Sequence, residues 1–208
     1  MRFLIADDHA IVRRGLVDVL REEFPSAEVI EANDAESLFK TTLKGEWDLI
    51  ISDLSMPGKG GLEILYDIKR HFPAIPVLIL SIHAEELYGT RVLRAGASGY
   101  LNKDAPPTEL VKAIRWILQG RKYITPTIAE KLADDVSFNK EKNPHELLSN
   151  RELDVLKMLA AGESLVRIGE KLAISPSTVS SFRSRILKKM QLQSNAELTR
   201  YCVEHGLI

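Results

Sequence analysis

The sequence predicts a doubly wound α/β domain with a five-stranded parallel sheet, followed by a small all-α domain. Over residues 1–120, five short apolar runs alternate with segments of helical periodicity. This alternation is typical of a parallel sheet covered by helices on both faces. The last 60 or so residues contain helical patterns only. We therefore expect two domains of different class within the 208 residues.

The predicted strands are continuously apolar, which indicates a sheet buried on both faces. The intervening helices follow from apolar residues spaced three and four apart, such as Val12, Leu16 and Leu20. Proline and glycine stand at the predicted ends of elements. In chain order the strands are FLIA (3–6), AEVIEA (27–32), DLIIS (48–52), PVLIL (76–80) and GYL (99–101).

Residues 121–147 are predicted to connect the two domains. The segment TPTIAEKLADDV can form one helix, with Thr125 as N-cap and Pro126 in the first position. The polar segment SFNKEKNPHE that follows predicts a mobile linker. The predicted domains are therefore residues 1–120, the connector 121–147, and residues 148–208.

Four helices are expected in the C-terminal domain. Ser149 with Glu152, and Ser194 with Glu197, have the spacing of capping boxes. Ser175 before Pro176 is a good N-cap. The expected helices span about 149–161, 164–173, 176–190 and 194–205.

Composition restricts the class of protein. A single cysteine, Cys202, excludes an intrachain disulfide and fits a reducing compartment. No apolar run approaches the roughly 18 residues of a membrane span, and Asp7 comes too early for a signal peptide. We expect a cytoplasmic protein without a membrane partner. Residues 1–120 carry 14 basic and 18 acidic residues, a balance of −4, whereas residues 145–208 carry 9 and 7, a balance of +2.

Polar and charged residues follow four of the predicted strands. Asp7 and Asp8 come after the first strand, Asp53 after the third, Ser81 after the fourth and Lys103 after the fifth. In an open parallel sheet, ligands bind beyond the carboxyl ends of the strands. We therefore expect these side chains to meet at one edge. Asp7 and Asp8 alone could equally cap a helix, but the joint placement favours a site.

This set of side chains has a chemical logic. Clustered carboxylates suit a hard divalent cation, Mg²⁺ or Mn²⁺. A carboxylate can also attack phosphorus and form an aspartyl-phosphate. The cation would then neutralise charge on the phosphoryl group, and Lys103 and the Ser81 hydroxyl would bind its remaining oxygens.

Residues 1–120 resemble the receiver domain of two-component response regulators. The resemblance rests on the paired aspartates after the first strand, DLSMPGKGGLE (53–63), Ser81, and Lys103 after GYLN. It implies a flavodoxin-like sheet with strand order 2-1-3-4-5. It also implies that Asp53 is the phosphoacceptor, that Ser81 and Lys103 are its catalytic partners, and that a histidine kinase is the phosphoryl donor.

The same resemblance assigns further roles. Ser81 and Tyr100 would form a switch pair, in which the hydroxyl turns toward the phosphoryl group and the ring packs inward. Ser55 and His83 would tune the lifetime of the phosphoryl group. Gly58 and Gly61 fit a tight loop after Pro57. The implied metal ligands are Asp7, Asp8, Asp53 and the backbone carbonyl of Ser55.

The helix predicted at 176–190 has one apolar side and one side of small hydroxyls and cations. Val179, Phe182 and Ile186 share the apolar side, and there is no acidic residue between Lys171 and Glu197. Such a polar face suits the major groove and the phosphates of duplex DNA, and the preceding helix and short turn give helix-turn-helix geometry. The alternative is a solvated face on a small bundle.

Residues 147–208 are similar to the LuxR/NarL-type DNA-binding domain, whose third helix is the recognition helix and whose fourth is commonly a dimer contact. The sequence departs from this family in Leu165-Val166-Arg167, where a more polar stretch is usual, and in Phe182, where His is frequent. The resemblance implies that Ser180, Ser181 and Ser184 face bases. It implies that the following residues touch phosphates or support the helix: Thr178, Arg185, Lys188 and Lys189.

Together these features predict a phosphorylation-dependent transcriptional response regulator that dimerises when phosphorylated and is not a turnover enzyme. Two alternatives stay open. One is a metal-dependent phosphohydrolase of the haloacid dehalogenase type, which would normally carry Asp-x-Asp after its first strand. The other is a phospho-switched protein-interaction module that does not bind DNA. Packing roles are predicted for Leu156, Leu159, Phe182, Ile186, Trp47, Trp116 and Cys202.

Overall fold

The computed structural model describes residues 1–56, 60–137 and 143–208. The chain divides into two compact units, Met1–Asn139 and Lys140–Ile208. Residues 138–142 of the predicted mobile linker lie outside the described residues, so the predicted domain limits stay predictions. Among the helices of the described residues, none combines the length and the apolar character that a membrane span requires.

The first unit contains one five-stranded parallel sheet in the order β2-β1-β3-β4-β5, which confirms the predicted fold class and order. Each strand begins and ends within about one residue of its apolar run. Ala6 pairs with Ala32 and with Ser52, and Ser81 pairs with Asn102, so the carboxyl ends are level. The strands are β1 (Arg2–Ala6), β2 (Glu28–Ala32), β3 (Leu49–Asp53), β4 (Val77–Ser81) and β5 (Gly99–Asn102).

Helices cover both faces of this sheet. Phe3, Ile5 and Ile51 join the core formed with the first helix, α1 (Ala10–Glu23), and the fifth, α5 (Pro107–Leu118). Their neighbours Leu4 and Ile50 are equally buried and lie on the opposite face, because successive strand residues alternate. The continuous apolar runs therefore reflect a doubly covered sheet. The helices are α1 (Ala10–Glu23), α2 (Ala35–Thr42), α3 (Gly61–His71), α4 (Glu85–Arg94), α5 (Pro107–Leu118) and α6 (Pro126–Ser137).

In the second unit a 3-10 helix precedes four α-helices, close to the predicted spans. The Ser149–Glu152 capping box is complete. At Ser194 only half of the box forms, because Glu197 Oε2 accepts from the backbone N–H of Gln193 instead. The elements are the 3-10 helix (Pro144–Leu147), α7 (Asn150–Ala160), α8 (Leu165–Leu172), α9 (Pro176–Met190) and α10 (Asn195–Glu204).

Most predicted packing residues are buried, including Leu156, Leu159, Ile186, Trp47 and Cys202. Burial raises the pKa of the Cys202 thiol to about 11, as suits a small apolar side chain. For two of the predicted packing residues, Trp116 and Phe182, the predicted burial is wrong in degree. Trp116 is 42% exposed, because the buried face of α5 is formed by Leu110, Ala113, Ile114 and Ile117. Phe182 is only partly buried, and the Arg185 guanidinium lies 4.5 Å from its ring centroid.

Candidate functional site

The carboxyl ends of β1, β3, β4 and β5 bring the predicted acidic and polar residues to one edge of the sheet. Asp7, Asp53 and Ser81 are almost completely buried. Lys103 follows β5, and its backbone N–H donates to the Ser81 carbonyl at 2.9 Å, which continues the ladder past the strand end. The level register of the strands thus places a hydroxyl and an ammonium beside two buried carboxylates.

The Lys103 ammonium holds this pocket together. Its Nζ lies 2.7 Å from Asp7 Oδ2 and 2.7 Å from Asp53 Oδ2. Burial of Lys103 alone would lower its pKa, but the bonds and charges of Asp53 and Asp7 outweigh this effect and raise the pKa. Lys103 is therefore a firmly charged group between two carboxylates, which relieves part of their repulsion.

The pocket fits a hard divalent cation. Apart from Lys103, neither Asp7 Oδ2 nor Asp53 Oδ2 has a partner among the described groups, and Asp8 Oδ1 accepts no aligned hydrogen bond. Ligand atoms of Asp7, Asp8, His9 and Asp53 lie within 4.8 Å of one another. The carboxylate oxygens of Asp7, Asp8 and Asp53 are the type of ligand that Mg²⁺ prefers, so these three residues would hold the cation.

The loop after β3 fixes the orientation of Asp53. Its Oδ1 accepts from the backbone N–H of Ser55 at 3.1 Å. The backbone N–H of Gly61 donates to the Leu54 carbonyl at 3.1 Å. A Cβ at position 61 would lie 2.3 Å from the same oxygen, so this close approach requires glycine. Pro57 and Gly58 lie outside the described residues. The ligand role of the Ser55 carbonyl stays a prediction.

His83 joins the residues around Asp53 to one another. Its backbone N–H donates to Ser81 Oγ at 3.1 Å, and its carbonyl accepts from Tyr100 Oη at 2.7 Å. Its Nε2 lies 2.9 Å from Ser55 Oγ. Tyr100 is fully buried, and this burial raises its pKa to about 12. The predicted switch residues are thus connected through one loop residue.

Sequence reasoning gave His9 no role and did not foresee the contacts of His83. His9 Nδ1 lies 2.8 Å from Asp8 Oδ1, and its backbone N–H donates to Asp7 Oδ1 at 2.8 Å. The position of His9 directly after the acidic pair was the available signal. For His83 the resemblance implied a role in the lifetime of the phosphoryl group but not its contacts, because its partners are 2, 17 and 28 residues away in the chain.

In the second unit, α8 and α9 form a helix-turn-helix. Ala173 has φ 52° and ψ 44°, a left-handed conformation that ends α8. Ser175 Oγ then accepts from the backbone N–H of Thr178 and caps α9. A Cβ at Gly169 would lie 2.7 Å from the Ile174 carbonyl oxygen, so glycine is what lets the turn fold back closely onto α8.

The predicted DNA-facing residues divide into two groups. Ser181, Ser184, Arg185 and Lys188 are exposed along one side of α9, whereas Ser180 is partly buried. The hydroxyls of Ser181 and Ser184 donate to carbonyls one turn back, which leaves their oxygens able to accept. The exposed group therefore has the small hydroxyls and cations that a groove-binding face needs.

The second group supports the helix. Thr178 Oγ1 lies 2.8 Å from Ser175 Oγ in the N-cap. Lys189 Nζ lies 2.7 Å from Glu152 Oε2 of the capping box, which joins α9 to α7. For Thr178 and Lys189 the predicted roles were phosphate binding or support of the helix, and these contacts favour support of the helix.

The fold and the pocket together define a receiver-type signalling protein, and comparisons with known proteins identify it further. Residues 3–115 match the response regulator receiver domain, and residues 146–202 match the bacterial regulatory proteins of the luxR family. The chain belongs to the response regulators that combine a receiver with a LuxR-type DNA-binding domain. This family consists of DNA-binding regulators and not of turnover enzymes, so the phosphohydrolase alternative is dropped.

Relatives match over nearly the whole chain. The response regulator UvrY of Escherichia coli (strain K12) is 37% identical over 206 residues, which cover 98% of this chain and 94% of that protein. The response regulator GacA of Pseudomonas viridiflava is 37% identical over 210 residues, covering 100% and 98%. RcsB from Salmonella enterica serovar Typhimurium, bound to promoter rprA in the presence of the phosphomimetic BeF3-, matches with a TM-score of 0.64 at 29% identity, covering 97% and 98%.

Proposed function

We propose that this chain is a phosphorylation-dependent transcriptional regulator, in which a histidine kinase phosphorylates Asp53 and thereby changes dimerisation and binding to duplex DNA. The observation that carries the proposal is the buried Asp53 carboxylate, 2.7 Å from the Lys103 ammonium and beside Asp7 at the carboxyl edge of the sheet. RcsB was solved on promoter DNA together with a phosphoryl mimic, which supports the link between the two domains. A cytoplasmic location belongs to the same proposal.

In the proposed reaction, an Asp53 carboxylate oxygen attacks the phosphorus of the kinase phosphohistidine. A P–O bond forms, the P–N bond breaks, and the leaving imidazole takes up a proton. Asp7, Asp8, Asp53 and the Ser55 carbonyl would hold a Mg²⁺ ion, which supplies charge neutralisation when bound. Lys103 stabilises the phosphoryl oxygens by a charge-assisted hydrogen bond, since its ammonium already faces Asp53.

The phosphorylated carboxylate then biases the receiver surface. The Ser81 hydroxyl donates to a phosphoryl oxygen, and the His83 loop follows because its N–H is bonded to Ser81 Oγ. The buried Tyr100 ring stays under this loop through its bond to the His83 carbonyl. A covalent anion at Asp53 thus acts on the surface around α4, β5 and α5.

DNA binding is assigned to α9. Ser181 and Ser184 present hydroxyl acceptors, and Arg185 and Lys188 present cations on a helix whose own sequence contains no acidic residue. In a dimer, two such helices would reach successive half-sites about one DNA turn apart. Retention of the full chain on duplex DNA at low salt and its release at high salt would distinguish this role from a protein-binding bundle.

The central test is the Asp53→Asn variant. We expect it to lose acyl-phosphate labelling by acetyl phosphate while keeping its circular dichroism spectrum, because the amide has nearly the same shape as the carboxylate but cannot act as the nucleophile. Asp48→Asn, at the opposite edge of the sheet, is the matched control and should label normally. Labelling that persists in Asp53→Asn would remove Asp53 from the proposed role.

A further inference from the structure

Helix α6 packs against α4 within the first compact unit. Ile128 of α6 is fully buried and lies against Gly89 of α4. A Cβ added at Gly89 would lie 2.5 Å from Ile128 Cδ1 and 2.7 Å from its Cγ1. A side chain at position 89 would therefore force the Ile128 side chain to change its rotamer or to move away from α4.

Polar contacts fix α6 over the first turns of α4. Thr125 Oγ1 donates to Glu85 Oε2 at 2.9 Å and accepts from the backbone N–H of Ile128 at 3.3 Å. The Lys131 ammonium donates to the Glu86 carbonyl. The helix after the receiver is therefore held by an apolar contact at Gly89 and by hydrogen bonds on both sides of it.

The same part of α4 is connected to the Asp53 pocket. The His83 ring stacks on the ring of Tyr88, with centroids 4.6 Å apart and planes at 22°. Tyr88 is buried and directly precedes Gly89. His83 in turn contacts Ser55 and Ser81 beside Asp53. A continuous set of packed and hydrogen-bonded groups thus leads from the pocket to the contact between α4 and α6.

We propose that the face of α4 formed by Glu85, Glu86 and Gly89 is the docking surface of this chain's own helix α6, and that phosphorylation releases α6 from it. This inference rests on the proposed phosphoacceptor role of Asp53. Movement of Ser81 toward the phosphoryl group carries His83, and with it the start of α4. A close-packed contact such as the one at Gly89 does not absorb such a shift, so docking weakens.

The docking of α6 on α4 and the binding of a phosphoryl group or its mimic at Asp53, here called loading, are then linked equilibria. If loading Asp53 releases α6, a change that releases α6 must strengthen loading by the same factor. Beryllofluoride, which mimics the phosphoryl group, is a suitable probe because its affinity is measured at equilibrium. The linkage predicts that beryllofluoride binds more tightly to a variant with weakened α6 docking than to the wild type.

Gly89→Ala displaces the Ile128 side chain from its present position against α4, and Gly15→Ala in α1 is the matched control. A Cβ at Gly15 meets no heavy atom within 4 Å, and both changes favour helix formation. In full-length protein with MgCl2, we expect calorimetric titration to show about fivefold or more tighter beryllofluoride binding for Gly89→Ala. Gly15→Ala should bind like the wild type. Ile128→Ala, with the exposed Ile11→Ala as control, should reproduce this result.

Hydrogen exchange gives a direct readout of α6. We expect the amides of residues 129–133 in the wild type to exchange about tenfold or more faster once beryllofluoride is bound. Binding without faster exchange, or equal or weaker affinity in Gly89→Ala, would overturn the docking proposal and leave the role of Asp53 intact. No beryllofluoride binding to the wild type at all would instead overturn the phosphoacceptor role.

Discussion

The receiver pocket buries its charges, whereas helix α9 leaves its charges in solvent. Asp7 and Asp53 are almost fully buried, and both face one ammonium. Arg185 and Lys188 are exposed, and the described residues show no ion pair for either. Buried charges are costly unless they are paired, but exposed cations can stay unpaired until a polyanion arrives.

This difference explains how each site can respond. Adding charge to the pocket disturbs a set of buried partners, so the effect extends to Ser81 and His83. Adding a phosphate next to α9 only replaces counterions, so the effect stays local and depends on salt. Charge within the pocket therefore suits a switch, and charge on α9 suits reversible binding.

The largest effect is expected in the pocket, from Lys103→Met. Without the ammonium, two buried carboxylates face each other, so the free energy of unfolding in EDTA should fall by about 3 kcal/mol. Mg²⁺ should restore most of the loss, because a cation again separates the carboxylates. Urea denaturation with and without Mg²⁺ measures both effects.

The exposed Lys112→Met is the control for this measurement. Its side chain is 59% exposed, and the expected change is below about 0.5 kcal/mol. Equal losses in the two variants would contradict the account of buried, mutually dependent charges.

The second prediction concerns the pH dependence of the buried Tyr100. Burial raises its pKa to about 12, whereas the unfolded value is near 10. Between pH 10 and 12 the unfolded chain has lost this proton while the folded chain keeps it, so stability falls as pH rises. Tyr100→Phe should remove about 2–3 kcal/mol of this fall. Parallel stability curves for wild type and variant over this window would contradict the raised pKa of Tyr100.

Two adjacent lysines of α9 test the exposed region. Lys188 is exposed without an ion pair in the described structure, but Lys189 is paired with Glu152. Lys188→Ala should reduce the slope of log affinity against log salt by about 1 per protomer. Lys189→Ala should lower stability and leave the slope nearly unchanged. Fluorescence anisotropy with duplex DNA at several salt concentrations measures the slopes. A larger slope change in Lys189→Ala would reverse the assignment.

The features that sequence predicted are those fixed by local periodicity or by topology. Continuous apolar runs gave the strands, because a sheet covered on both faces needs apolar residues at every position. The acidic edge was predictable because carboxyl ends of parallel strands share one side of the sheet. Asp7, Asp53, Ser81 and Lys103 therefore meet as expected.

The features that sequence missed depend on contacts between distant residues. Gly89 lies inside a helix, where glycine reads as an unfavourable residue, and no sequence pattern indicated the close approach of Ile128. The partners of His83 come from three separate segments. Trp116 lies beside the apolar stripe of α5, so its type suggested packing although its position on the helix directs it outward.

The smallest predicted effect compares the two capping-box patterns, which have the same spacing but different contacts. Glu152 is buried and accepts from the Ser149 N–H and from Lys189, whereas Glu197 accepts from the exposed Gln193 N–H. Glu152→Ala should therefore cost about 1.5 kcal/mol and Glu197→Ala about 0.5 kcal/mol of unfolding free energy. Urea denaturation of the two variants measures the difference. Equal costs would mean that the Lys189–Glu152 ion pair adds no stability to the Ser149–Glu152 capping box. The Lys189 ammonium would then be stabilised as well by solvent as by Glu152.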